Sequence, residues 1–198
     1  MSMKNDVSLL IATLNQFHPL SKGIQGYLAD HCQPCSFQKG ELLLKEGQVC
    51  EHIYFINKGV IRGFIREGKK DITTWITSEY ELVTSIYGLE NNEPATENIQ
   101  ALENCELLAL SNTDVQNLYA QFPEFNIAIR KLLQQYYKDA EGRAFIARLT
   151  NAEKKYRYFL KRYRHLANRV SLKYIASFLG MTLETLSRIR KRISTSKA

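Results

Sequence analysis

The sequence predicts an α+β chain: a body of short strands, then one long helix, then two short helices around a glycine. Three observations carry this. Between residues 36 and 83, apolar runs (LLLKEG, IYFINKG, VIRGFIREG, ITTWIT) are punctuated by Gly40, Gly47, Gly59 and Gly68. β-branched and aromatic residues fill the runs, as in a β-sandwich or small barrel. From Thr113 onward that texture does not return. The stretch NRVSLKYIASFLGMTLETLSRIRKRI, residues 168–193, then shows helical periodicity on both sides of Gly180.

The elements follow in order. Leu10, Ile11 and Leu14 recur at helical spacing, which predicts a helix over residues 7–14. The strands of residues 36–83 come next, then a loop at Asn91-Asn92-Glu93-Pro94, then strands again over residues 99–110. Thr113-Asp114 opens a short helix through Tyr119, and Pro123 suits the first turn of a long one. Along that helix Phe125, Ile129, Leu132, Leu133, Tyr136, Ala140 and Ala144 recur by threes and fours. Such a stripe is either core or a seam against a second copy. Gly142 is a weak point there, since a mid-helix glycine costs about 1 kcal/mol relative to alanine. Asn151 caps a further helix, on which Tyr156, Phe159 and Tyr163 share a face.

Charge is distributed unevenly. The net formal charge is +7. From Lys154 to the last residue there are thirteen basic side chains against one acid, Glu184, whereas residues 1–153 are net acidic. A basic tail on an acidic body points to a polyanion partner for the tail, or to a solvated basic face. No apolar run approaches the roughly 20 residues of a membrane span. The first residues lack the apolar core of a cleaved signal. The expectation is a cytoplasmic protein with its four cysteines reduced.

Within the C-terminal pair, Leu172, Ile175, Ala176 and Leu179 form one apolar face. Gly180 makes the turn and Thr182 caps the next helix. Leu183, Leu186 and Ile189 anchor that helix, leaving Glu184, Thr185, Ser187, Arg188 and Lys191 more exposed. Arginine can donate twice to guanine and glutamate can accept from cytosine, the chemistry of major-groove reading. Glu184 and Arg188, four apart, can equally pair with each other on a plain helical hairpin.

LKYIASFLGMTLETLSRIRK resembles the helix-turn-helix signature of the Crp/Fnr superfamily of bacterial transcription regulators. Ile175, Ala176, Leu179, Gly180, Thr182, Glu184, Thr185, Ser187 and Arg188 match it in order without a gap. FQKGELLLKEGQVCEHIYFINKGVIRGF is similar to the family's cyclic-nucleotide-binding-type β-roll. The resemblance implies an N-terminal double-stranded β-helix, or β-roll, as sensor (residues 1–121), a dimerisation helix (122–148) and a helix-turn-helix domain (149–198). It also implies a homodimer on a palindromic site in double-stranded DNA, with recognition helices about 34 Å apart, that recruits or obstructs RNA polymerase. Glu184, Ser187 and Arg188 fall at the family's base-reading positions. Thr182, Thr185, Lys173, Arg190, Lys191 and Arg192 would face the DNA backbone. The seam would consist of Ile129, Leu132, Leu133, Tyr136, Ala140 and Ala144.

The chain departs from the family in three places. Cyclic-AMP-binding members hold the ribose with Gly-Glu and the phosphate with Arg-Ser; here those positions are Thr84-Ser85 and Ala95-Thr96. A buried phosphate charge without a cation is costly, so cyclic AMP is not expected. The roll would hold another small-molecule effector, or none. Oxygen-sensing members bind an iron–sulfur cluster through four thiolates. Cys32, Cys35, Cys50 and Cys105 lack the dense N-terminal grouping of those members, so no such cofactor is expected. STSKA follows the recognition helix where most members continue, so the fold is expected to lack most of the β-wing. Two other readings are a sensory module without DNA binding and a cupin-like metalloenzyme. The second needs clustered histidines, and His18, His31, His52 and His165 are scattered. The expectation is therefore no enzyme and no metal site.

Overall fold

The computed structural model describes residues 6–86 and 93–195. Two helices, α1 (Ser8–Asn15) and α2 (Lys22–His31), precede the strands. The strands are β1 (Gln33–Phe37), β2 (Leu42–Leu44), β3 (His52–Lys58), β4 (Val60–Glu67), β5 (Lys70–Ser78), β6 (Leu82–Val83), β7 (Asn98–Ala101) and β8 (Cys105–Ser111). There follow α3 (Asn112–Gln121), α4 (Pro123–Arg148), α5 (Ala152–Arg162), a 3-10 turn at Arg164–Leu166, α6 (Leu172–Phe178) and α7 (Leu183–Thr195). Of the predicted loop at 91–94, Asn91 and Asn92 lie outside the described residues, and Pro94 bridges to Val49.

The strands form two antiparallel sheets, ordered β1-β8-β3-β6 and β2-β7-β4-β5. Between them Leu44, Ile56, Ile61, Ile99, Ala101 and Leu107 fill the roll. All four predicted turn glycines take positive φ. At Gly59 the demand is strict, because a Cβ there would stand 2.5 Å from Cys105 Sγ.

The helix α2 was not expected from the sequence. Ser21 Oγ caps it by accepting from Ile24 N–H at 3.4 Å, and Ile24 and Leu28 bury one turn apart. Gly23 and Gly26 dilute the pattern enough to hide it. Side chains from α1, α2, α3 and the start of α4 share a core with Phe55, Leu108 and Leu110 of the roll.

The long helix corrects two expectations. It runs unbroken through Gly142, where a side chain would meet Tyr158 Oη at 3.1 Å. The glycine lets α5 approach and marks no break. The proposed seam also divides. Ile129 and Leu132 are buried in the chain's own core, and the Tyr136 hydroxyl accepts Leu82 N–H of the roll at 2.8 Å. These three belong to the protomer's interior. Leu133, Ala140 and Ala144 are exposed, together with Tyr137, which the sequence reading passed over. Positions 133, 137, 140 and 144 alternate by four and three, the spacing of a coiled-coil seam.

The C-terminal helices build their own core from Tyr156, Phe159, Leu166, Ile175, Leu179, Leu186 and Ile189. That core is continuous with Val60, Ile76 and Leu102 of the roll and with Ile146 of α4.

Candidate nucleic-acid interface

The turn between α6 and α7 is fixed by local chemistry. Met181 N–H donates to Ala176 O at 3.0 Å and Gly180 N–H to Ser177 O at 3.0 Å, the two bonds of a Schellman cap. Gly180 takes φ 61°, which suits the residue after a helix end only when it lacks a side chain. From α5, Lys155 Nζ donates to Leu179 O at 3.0 Å, placing a cation at the negative end of α6. Thr182 Oγ1 receives Thr185 N–H at 3.2 Å and opens α7. The predicted cap role of Thr182 is therefore what the structure shows. Ile175 and Ala176 of α6 bury against Leu186 and Ile189 of α7, so the two helices form one rigid piece.

Glu184, Ser187, Arg188 and Lys191 are exposed together on the outer face of α7. The carboxyl of Glu184 is held below its ordinary value by its own backbone N–H first and by Thr182 next, with Arg188 the smallest influence. Arg188 reaches Thr185 Oγ1 at 3.5 Å. Lys173 is exposed at the start of α6. Arg188, Lys191 and Lys173 are in no ion pair among the described residues. Arg190 and Thr185 are half-buried flank residues. Arg192 is already engaged, because its guanidinium pairs with Glu153 of α5. It is correspondingly less available to a phosphate than its charge suggests.

The opposite side of the helix pair carries residues whose role depends on partners far away in the chain. Arg62 of β4 is 2% exposed. Its guanidinium lies between the rings of Phe64, at 4.0 Å, and Tyr174 of α6, at 4.1 Å. It donates to Gln100 Oε1 at 2.9 Å, Thr73 Oγ1 at 3.2 Å and Asp71 Oδ2 at 3.0 Å. Ser177 of α6 receives Thr73 N–H at 2.9 Å and donates to Asp71 O at 3.1 Å. Arg169, just before α6, donates to both carboxylate oxygens of Glu79, at 2.8 and 2.7 Å, and to both of Glu103, at 3.2 and 2.7 Å. The Arg169 hydrogen bonds are the main reason the Glu79 carboxyl lies at about 2. In sequence, Arg62 reads as one polar residue of a strand, and only the fold brings these partners together.

At the family's effector positions the structure places no charged side chain. Thr84 Oγ1 donates to His52 O at 3.2 Å, Ser85 is buried, Ala95 exchanges backbone bonds with Gly47 and Gln48, and Thr96 is exposed. A cavity of about 1460 Å³ runs beside β5, β6 and α4, with Trp75, Val83, Thr84, Leu132, Tyr136 and Arg143 in its wall. The indole of Trp75 donates to Glu97 at 2.9 Å. Space for it comes from Gly63, where a Cβ would stand 2.2 Å from the ring. The four cysteines form no disulfide, and burial pushes Cys32 to about 12 and raises Cys35 and Cys105.

Residues 34–122 match the family described as the cyclic nucleotide-binding domain. The Fumarate and nitrate reduction regulatory protein of Vibrio cholerae is 24% identical over 225 residues, covering 90% of this chain and 87% of that one. Over most of its length the chain is thus similar to a regulator of this kind, and residues 34–122 carry the cyclic nucleotide-binding fold. Two solved structures agree in fold. One is of CLP, a c-di-GMP-responsive global regulator of Xanthomonas campestris, with TM-score 0.70 at 16% identity over 89% of this chain and 93% of that one. The other is of a transcriptional regulator assigned to the Crp/Fnr family from Eubacterium rectale, with TM-score 0.70 at 13% identity over 89% of this chain and 85% of that one. These relatives are regulators and not enzymes. Among the described residues no helix is long and apolar enough to cross a membrane.

Proposed function

We propose that the protein is a homodimeric, sequence-specific DNA-binding regulator that acts in the cytoplasm at promoters served by RNA polymerase. The observation that carries this reading is the outer face of α7. There Glu184, Ser187, Arg188 and Lys191 stand exposed on a helix that the Gly180 turn and the Thr182 cap hold rigidly. Base edges in a major groove are the surface such a face fits. The exposed stripe Leu133, Tyr137, Ala140 and Ala144 on α4 supports a parallel partner helix, which would set two copies of α7 on one side of the dimer.

The effector, if one acts, is a molecule other than cyclic AMP. Thr84, Ser85, Ala95 and Thr96 offer neither the carboxylate for a ribose hydroxyl nor the cation for a cyclic phosphate. An iron–sulfur cluster is likewise outside this reading, because among the described residues no three His, Cys, Asp or Glu side chains come together as metal ligands would.

Selection from a random double-stranded DNA pool, followed by mobility-shift titration, tests the proposal. The expected result is an inverted-repeat site bound by a dimer, with affinity falling steeply as salt rises. Absence of binding at low salt overturns it. Addition of cyclic AMP is expected to leave the melting temperature unchanged, and clear stabilisation would overturn the argument from Ser85 and Ala95.

A further inference from the structure

We infer that the contacts between α6 and the outer face of the β4–β5 sheet form a latch that fixes how far apart the two recognition helices stand. The spacing between half-sites is therefore set by Arg62, Arg169, Tyr174 and Ser177 without a bound ligand. This rests on the DNA-binding dimer proposed above.

The latch has three parts, each chemically distinct. β5 ends the sheet order β2-β7-β4-β5, so among the described residues one of its edges has no strand partner. Unpaired edge groups ordinarily seek another chain. Here the Ser177 hydroxyl takes that place, receiving the N–H of Thr73 and donating to the carbonyl of Asp71. One turn earlier on α6, Tyr174 covers the face of the Arg62 guanidinium, whose other face is covered by Phe64. A desolvated cation–π contact of this kind is directional, because the cation must lie over the ring. At the lead-in to α6, Arg169 binds Glu79 beyond the end of β5 and Glu103 in the turn between β7 and β8. Two bidentate carboxylates on one guanidinium fix its plane as well as its position.

Three attachments spread along one helix and its lead-in restrain rotation as well as sliding. Their effect reaches the reading face because α7 is rigidly joined to α6 through the Schellman turn, Lys155 and the shared core. It reaches the dimer axis because α4 is rigidly joined to the roll, through Phe125, Ala128, Ile129 and Leu132 and through the bond from Leu82 N–H to Tyr136. The seam on α4 and the reading face on α7 are thus two ends of one connected body, and the latch is the joint between them. Arg62, Arg169, Tyr174 and Ser177 are positioning residues, since none lies on the exposed face of α7.

The test uses the full-length protein and a DNA library in which two copies of its selected half-site are separated by spacers of different length. Base preference within the half-site is read from the same experiment. Wild-type protein is expected to favour one spacing and to lose about tenfold or more in affinity when one base pair is added or removed, because each added pair rotates and displaces the second site. In the double variant Arg169→Ala/Tyr174→Ala the loss should shrink to about threefold or less, with half-site base preference unchanged. Arg169→Gln alone, which touches only partly exposed carboxylates, should flatten the profile in the same direction if the double variant fails to fold. A variant that is folded and keeps the wild-type spacing profile overturns the latch. Wild-type protein that binds no DNA in the library overturns the DNA-binding reading, and the latch as a spacing device with it.

Discussion

Two groups of cations in the C-terminal third have the same charge and opposite circumstances. Arg162, Arg169 and Arg192 are committed to Asp139, to Glu79 and Glu103, and to Glu153 respectively, and Lys155 caps α6. Lys173, Arg188 and Lys191 stand exposed without such partners among the described residues. The committed cations hold the helix-turn-helix in place, and the exposed ones are free to meet a polyanion. A basic count therefore overstates the phosphate-facing charge, because part of it is already neutralised inside the protein. Substitutions in the two groups should differ in kind and in size.

Arg62 of β4, outside that third but bound more completely than any of its committed cations, gives the largest effect. Removing it in Arg62→Ala leaves Thr73 and Gln100 without that donor and Asp71 with Arg66 alone, and strips a ring contact from Tyr174. Leaving buried polar groups without their partner costs about 1–3 kcal/mol. Urea denaturation measures it, and a loss near the surface-substitution range of about 0.5 kcal/mol would mean the sandwich is not a structural joint.

Arg169 comes next, and pH identifies its role. In the native protein Glu79 lies at about 2 against an ordinary value of 4.5, chiefly through Arg169. A depressed carboxyl contributes stability that is fully present above the unfolded value and is lost as pH falls through the folded one. The stability gap between wild type and Arg169→Ala should therefore be widest near neutral pH and should narrow from about pH 4.5 downward towards about 2. A gap that stays constant over that range would assign the contribution to packing and not to the ion pair.

These two groups also show what could be read from the sequence. The α6–α7 turn was legible because its causes are local. A glycine at the one left-handed position, a threonine cap and two apolar faces all lie within residues 171–190. The roll was legible for a similar reason, since its turn glycines and β-branched runs repeat at short range. What escaped was set by distant partners. Arg169 meets Glu79 across 90 residues and Arg192 meets Glu153 across 39, so no window on the sequence separates them from Arg188. The exposed stripe on α4 escaped in a different way. Positions 129, 132 and 136 and positions 133, 137, 140 and 144 each satisfy a three–four spacing. Only the placement of the roll decides that the first set is interior. Tyr137 was missed because a tyrosine beside another tyrosine carries no directional signal of its own.

On the exposed side, Arg188 is expected to carry sequence discrimination. Arg188→Ala should relax base preference and cost about 1–3 kcal/mol per half-site, with stability little changed because the side chain is exposed and reaches Thr185 Oγ1 only at 3.5 Å. Competition among single-base variants of the selected site measures it. An unchanged preference would remove Arg188 from the reading set and shift attention to Glu184 and Ser187.

The smallest effect separates two neighbours that look alike in sequence. Lys191 and Arg192 follow one another on α7, both are exposed, and both carry a positive charge. Lys191 has no acidic partner among the described residues, whereas Arg192 shares Glu153 with Arg157. A cation that meets a phosphate releases a counterion, so its removal lowers the slope of binding against salt by about one per half-site. Lys191→Ala should show that drop with base preference intact. Arg192→Ala should show a smaller one, because Glu153 already neutralises that charge in the free protein and a phosphate would have to displace it. The same loss should appear in thermal stability, where Arg192→Ala gives up the contact between α5 and α7 and Lys191→Ala gives up none. If the two variants change the salt slope equally, the Arg192–Glu153 pair opens on DNA, and the boundary between committed and available cations moves by one residue.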